Sequence, residues 1–265
     1  MPYLTVEGTR LHYREAGSGD PPLLLLHAFP LHSGMWQAQL AGLSDRVRLV
    51  APDLKGFGAS DAPDDRDAYS VAGYADEVAA LIDQLGLARV VVAGLSMGGY
   101  VALAFWRRHR ARVSALVLAD TRAEPDGPEA LERRTNQQRQ VAEEGTAGLI
   151  DQLLDGLLAE ATHRERPELV EQARGLMDNP PAGFIGALEA MKGRPDSTAD
   201  LDGIDVPTLV LVGRDDGITS PEVAQDLHVR IAGSRLAVLP DAAHLSNLEA
   251  PEAFNVALRR FLDDL

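Results

Sequence analysis

Cysteine is absent from this chain of 265 residues. That removes disulfides, cysteine nucleophiles, thiolate metal sites and iron–sulfur clusters together. It also fits a reducing cytoplasm, where the chain is expected. Basic residues are scarce: Lys and Arg number 25 against 40 Asp and Glu, a formal charge of −15. Without a basic footprint phosphates go unneutralised, so nucleic acid is not expected as a partner, and the same charge is repelled by an anionic membrane leaflet. Long apolar runs are missing too. The run at 23–26 is far too short to span a bilayer. No apolar stretch follows basic residues at the start, so no signal peptide is expected. No internal repeat or low-complexity segment is visible.

What is present is ordinary for a folded domain: 45% hydrophobic and 25% charged residues, which argues against disorder. At about 150 residues per domain the length implies one large domain or a core with an insert, long enough to bury roughly three quarters of its surface. Two segments, 3–6 and 10–15, flank Glu7-Gly8-Thr9 and read as a hairpin. Apolar runs then recur at 23–26, 47–50, 90–93, 115–119, 209–212 and 236–239. Runs of this kind mark strands buried on both faces, as in parallel sheets. Between them, 71–85 carries apolar residues with a 3.6-residue period, and 100–109, 222–231 and 251–262 also read as helices. The alternation predicts an α/β fold with a mostly parallel, doubly wound sheet. Residues 123–193 break it. They are helical in composition, hold no good strand and are too long for a crossover. They are expected to form a helical cap on a core made of 1–122 and 194–265.

The strongest local signal is Gly94-Leu95-Ser96-Met97-Gly98, which fits G-x-S-x-G. The strand before it and the helix after it give the pattern its weight. A strand-to-helix turn this tight needs small flanking residues, supplied by Gly94 and Gly98. It lifts the Ser96 hydroxyl off the sheet edge beside a helix N-terminus, where developing negative charge is favoured. A serine hydroxyl is a weak nucleophile without a base, so a histidine should follow it. Of the seven histidines, His244 lies in the loop between the last strand and the last helix, at a strand C-terminal end. His109 and His163 read as solvated, His12 falls on the hairpin, and His228 lies within a helix. The acid that orients the histidine should follow the strand at 209–212, where Asp215 and Asp216 are adjacent and residue chemistry alone does not choose. Asp120 is a third candidate, more simply read as a turn residue. An oxyanion hole should take one amide from Met97 and a second from the loop His27-Ala28-Phe29-Pro30. Pro30 has no N–H, which leaves Phe29 or Ala28, with Phe29 favoured. His27 reads as a ring that ties this loop down.

Together these residues resemble the α/β-hydrolase fold family over nearly the whole chain. Residues 25–30 resemble its H-G-x-P loop and 51–61 its P-D-x-R-G-x-G-x-S loop. Residues 213–221 are similar to its G-x-x-D-x-x-x-P segment, and 239–254 to its terminal G-H-x-x-x-x-E-x-P-E-x-F segment. That alignment puts the acid on Asp216. Ala28, Lys55 and Ala243 depart from the usual Gly, Arg and Gly. The stretches at 94–100, 120–123 and 194–198 are similar to those of small bacterial carboxylesterases and 3-oxoadipate enol-lactonase-like hydrolases.

The resemblance implies a serine hydrolase of carboxylic esters with short to medium acyl chains, using Ser96, His244 and Asp216 with the amides of Phe29 and Met97. A lactonase acting on enol-lactones or acyl-homoserine lactones is the alternative with the same residues. Pro30 after Phe29 also resembles cofactor-free perhydrolases, which implies peracid formation as a side activity. Serine at 96 argues against relatives with an aspartate nucleophile, and a ligand sensor without turnover is disfavoured. The pocket is expected to draw on Trp36, Leu95, Arg122, Leu154 and Leu245. No metal or organic cofactor is called for, the partner is a small-molecule ester or lactone, and the chain is expected as a monomer or homodimer.

Overall fold

The computed structural model describes residues 2–6 and 8–265; Met1 and Glu7, the latter in the expected hairpin turn, lie outside the described residues. The chain opens with strands β1 (Tyr3–Val6) and β2 (Thr9–Ala16), followed by β3 (Leu23–Leu26), α1 (Gln37–Leu43) and β4 (Leu49–Pro52). Next come α2 (Val71–Gln84), β5 (Val90–Leu95), α3 (Met97–His109) and β6 (Val113–Ala119). Five helices intervene before the next strand: α4 (Pro128–Glu144), α5 (Ala147–Leu157), α6 (Glu160–Glu165), α7 (Pro167–Leu176) and α8 (Pro181–Lys192). The chain finishes with α9 (Thr198–Leu201), β7 (Thr208–Gly213), α10 (Pro221–Arg230), β8 (Arg235–Leu239), α11 (Ser246–Glu249) and α12 (Pro251–Asp263).

The eight strands form one sheet in the order β1-β2-β4-β3-β5-β6-β7-β8. β1 and β2 run antiparallel, as does β2 against β4, and every later pairing is parallel. The strands β3, β4, β5 and β7 are buried at every residue, as strands covered by helices on both faces must be. β8 departs from the expectation of burial on both faces. It is an edge strand, and of its five residues only Leu239 is buried. Its apolar letters match those of a central strand, so composition alone does not reveal an edge.

The chain lays β4 on one side of β3 and then crosses to place β5 on the other. Strand order therefore reverses at the C-terminal ends of β3 and β5, the place where open α/β sheets bind ligands. Two loops meet there: 27–32 after β3 and the turn at Ser96 after β5. Among the described residues no helix is long and apolar enough to cross a membrane.

Candidate active site

The turn between β5 and α3 holds Ser96 at φ 56° and ψ −114°, a strained conformation for a residue with a Cβ. Contacts on both sides force it. A Cβ on Gly94 would lie 2.1 Å from the Gly98 carbonyl oxygen, and one on Gly98 would lie 2.1 Å from that of Leu26. The glycines of G-x-S-x-G are thus the residues that let α3 start directly against β3 and β5. The Ser96 N–H donates to the Ala119 carbonyl at 3.0 Å, and the Thr121 hydroxyl donates to the Ser96 carbonyl at 2.8 Å. Both bonds fasten the turn to the end of β6.

The Ser96 hydroxyl is partly exposed and lies 2.8 Å from His244 Nε2. On the other side of the ring, His244 Nδ1 is 2.9 Å from Asp216 Oδ2. The Asp216 carboxylate is buried and fully engaged. Oδ1 accepts the N–H groups of Ile218 at 2.8 Å and Thr219 at 2.9 Å, and Oδ2 also accepts the Thr219 hydroxyl at 2.7 Å. Burial pushes this carboxyl up, but the His244 ring and the Thr219 donors outweigh it and hold Asp216 below the usual carboxylate range. An ionised Asp216 accepts the Nδ1 hydrogen and leaves Nε2 with a lone pair toward Ser96. Asp215, which residue chemistry could not separate from Asp216, is exposed.

Asp120 is buried between the ends of β6 and β7. Its carboxyl takes the Gly213 N–H at 2.8 Å and bonds the Ser246 hydroxyl. Burial and the nearby Asp216 carboxylate push it well above the usual range. It braces the two loops that carry Asp216 and His244, and among the described residues it makes no hydrogen bond to the His244 ring.

The Met97 N–H opens α3, and the Phe29 N–H sits in the loop after β3. Among the described residues neither donates to a protein acceptor. The Phe29 ring meets Phe57 and Phe184 edge-on, at 6.2 and 5.5 Å. His27 fastens the same loop. Its Nε2 accepts the Leu54 N–H at 2.9 Å, so Nδ1 carries the hydrogen and donates to the Ala28 carbonyl at 3.0 Å. Burial lowers His27 from 6.5 to about 4.

A proton on His27 would abolish the acceptor that holds Leu54, which gives a testable consequence. The folded pKa lies below the unfolded one, so the unfolded chain binds the proton more readily. Stability from this group is complete above the unfolded value of 6.5 and is lost as pH falls toward about 4. His32, lowered by burial as well, adds in the same direction. The lowered carboxyls of Asp53 and Asp216 act only below their ordinary value of 3.8, outside this window. The raised Asp120 carboxyl acts in the opposite direction and is common to wild type and variant. Calorimetric unfolding between pH 7 and 4 should therefore show the wild type losing about 3 kcal/mol more than His27→Gln; equal slopes would assign the effect elsewhere.

Of the remaining candidates the four apolar ones are buried. Trp36 is fully buried and packs on Phe254 of α12 at 5.9 Å. Leu95, the last residue of β5, is fully buried as well. Leu154 is buried on α5, and the Leu245 N–H donates to the Leu157 carbonyl at 3.1 Å. Arg122 reaches the Ile218 carbonyl beside the Asp216 loop. Of the histidines read as solvated, His109 bonds Asp76 at 2.8 Å and His163 the Leu154 carbonyl at 3.1 Å. His12 is buried against Asp53 at 2.7 Å.

Three contributors are not singled out by the sequence reading. Thr219 holds Asp216. Glu249 bonds the peptide before His244, its Oε2 accepting the Ala243 N–H at 2.7 Å. Asn179, between α7 and α8, donates to the Pro30 carbonyl at 2.8 Å and accepts the Gly58 N–H at 2.6 Å. Each acts across a gap in the chain or through a common surface residue type; only the motif spacing at 249 marks its position in advance.

Residues 21–251 match the family model described as alpha/beta hydrolase fold. The solved structure of a thermophilic esterase from Thermogutta terrifontis is 39% identical, with a TM-score of 0.94 over 99% of this chain and 98% of that one. The enol-lactonase from Burkholderia xenovorans is 32% identical, with a TM-score of 0.91 over 99% and 100%. Among curated proteins, 3-oxoadipate enol-lactonase 2 from Acinetobacter baylyi is 29% identical over 96% of this chain and 94% of its own length.

Proposed function

The chain belongs to the alpha/beta hydrolase family of hydrolytic enzymes, and on that premise we propose that it is a serine hydrolase of small carboxylic esters. One observation carries the reading: His244 stands 2.8 Å from the Ser96 hydroxyl and 2.9 Å from Asp216, one ring nitrogen to each. A base in hydrogen-bond reach of a hydroxyl, itself oriented by a buried carboxylate, is the arrangement acyl transfer requires.

In this reading Ser96 Oγ attacks the ester carbonyl carbon while His244 Nε2 takes its proton. The carbonyl oxygen becomes an oxyanion, held by the unengaged N–H groups of Met97 and Phe29. Each donor of this kind contributes about 3 kcal/mol to the barrier reduction. Asp216 stabilises the imidazolium, which then protonates the departing alkoxide. Water attacks the acyl-Ser96 ester with His244 again as base, and the proton returns to Ser96 Oγ as the acid leaves. Residues 123–193 act as a cap: α5 meets the His244 loop through Leu157, and Asn179 meets the Phe29 loop. Leu154 and Leu245 supply apolar wall to the acyl pocket, with Arg122 at its rim. A capped site in a chain with 5% aromatics favours short to medium acyl groups. The cysteine-free composition fits a reducing cytoplasm.

Lactone opening is the second reading, supported by the similarity to two enol-lactonases. It uses the same residues, with the leaving alkoxide tethered to the acyl group. Turnover of p-nitrophenyl acetate, butyrate, octanoate and palmitate beside γ-lactones separates the two. Ester turnover peaking at short chains is expected; lactone turnover well above it moves the assignment. His244 acts in its neutral form, since imidazolium is no base, and Asp216, held below the usual carboxylate range, supplies its charged partner.

A further inference from the structure

Glu249 stands in the terminal segment that carries His244, and the acyl-transfer scheme gives it nothing to do. Its side chain is nonetheless buried, with 4% of the residue exposed. Three donors converge on its two oxygens. Oε2 accepts the Ala243 N–H at 2.7 Å, and Oε1 accepts the Ala159 N–H at 2.8 Å and the Thr162 hydroxyl at 2.6 Å. Its main-chain carbonyl accepts Arg166 Nη1 at 2.7 Å. Ala159, Thr162 and Arg166 all belong to the helical insert, and Ala243 is the residue before His244.

The residue after His244 is fixed from the insert as well, by the Leu245 N–H on the Leu157 carbonyl at 3.1 Å. The two amides flanking the His244 peptide are therefore both held, one by Glu249 and one by the end of α5. The Asp216 bond at 2.9 Å aligns the ring, but it does not set how far the loop stands from Ser96. We propose that Glu249 is a positioning residue: it ties the seating of the insert to the placement of His244, so the base is in register with Ser96 only while the insert is docked. The inference rests on the reading of His244 as general base.

A carboxylate suits this task. It is acceptor-only, so both oxygens can face N–H and O–H donors, and hydrogen bonds to a charged acceptor offset its burial. Glutamine of the same size offers one acceptor oxygen and turns an NH2 toward a donor, so one of the two sides must let go. Movement of about 1 Å at a catalytic group can change the rate by about a hundredfold. The coupling also explains why a segment outside the core reaches the His244 loop through four separate bonds, from Leu157, Ala159, Thr162 and Arg166.

Two variants test this with p-nitrophenyl acetate, each normalised to folded protein by circular dichroism. In Glu249→Gln, kcat is expected to fall about 10- to 100-fold while KM stays within about twofold. Thr162→Val removes one bond to Oε1 from the insert side and leaves every backbone donor in place. Its kcat should fall in the same direction by about threefold or more. Amide exchange at Ala243 and Leu245 should speed up in both. A purely structural Glu249 would lower the melting temperature and leave kcat per folded molecule unchanged. If Glu249→Gln does not fold, Thr162→Val decides alone. A folded variant with wild-type kcat and wild-type exchange at the two amides overturns the coupling. Ser96→Ala run alongside separates this failure from that of the serine-hydrolase reading: retained turnover there removes both proposals, whereas a dead Ser96→Ala beside active Glu249 and Thr162 variants removes only this one.

Discussion

Replacing Ser96 by glycine is expected to abolish ester turnover and to leave a more stable protein than replacing it by alanine. Both variants lose the hydroxyl and its bond to His244, so both should lose about 10⁴-fold or more in kcat. They differ only in the backbone. Ser96 sits at φ 56° and ψ −114°, where a Cβ is strained by about 1–3 kcal/mol. Glycine has no Cβ, and its greater unfolded-state entropy takes back only about 0.5–1 kcal/mol. Ser96→Gly should therefore exceed Ser96→Ala in stability by about 1 kcal/mol, or about 2–4 °C in a chain of this size. In an ordinary helix or strand the order is reversed. Thermal unfolding of the two variants side by side reads the sign. Alanine as the more stable of the two would mean that the turn relaxes, and the strained elbow would no longer explain how Ser96 is presented.

That strain shows why so much of the site is legible in one dimension. The glycines around Ser96 are required by contacts of about van der Waals radius or less, and the chain can meet that demand in few ways. The strand before and the helix after are visible as an apolar run and a helical period. His244 is legible for a different reason: it lies at a strand C-terminal end, downstream of the acid, where the topology of an open sheet concentrates reactive groups. The choice between Asp215 and Asp216 is not available from the residues themselves, since both follow the same strand. Only the alignment to family motifs separates them. In the fold, Asp216 turns inward beneath Thr219 and Asp215 faces solvent.

Two of the parts that stay hidden share one feature: they have partners distant in sequence. Glu249 reaches Ala159, and Asn179 reaches Pro30 and Gly58, across separations that no local period encodes. Pocket walls are obscured for another reason. A leucine or tryptophan in contact with substrate has the same letter as one in the core, and Trp36 and Leu95 prove to be packed inside. β8 presents the same ambiguity in the fold. Its apolar run resembles that of its neighbour, and its edge position follows from topology, which fixes how many neighbours a strand has.

The choice of Asp216 over its neighbour carries the second large effect. Asp216→Asn keeps the shape of the side chain and can keep the two amide bonds to Ile218 and Thr219 on its remaining oxygen. Its NH2 then faces His244 Nδ1 in place of an acceptor oxygen. The imidazole answers by moving its hydrogen to Nε2, the atom 2.8 Å from the Ser96 hydroxyl. A ring that carries hydrogen there cannot take the serine proton, and it has no carboxylate to stabilise the imidazolium. A loss of about 10⁴-fold in kcat follows, in a protein that still folds. Asp215→Asn changes an exposed side chain and should stay within about twofold of wild type. The comparison is sharp because the two substitutions remove the same charge one residue apart. Equal losses would point to the field of the loop as the active quantity. A loss confined to Asp216→Asn would locate the effect in one hydrogen bond and the tautomer it selects.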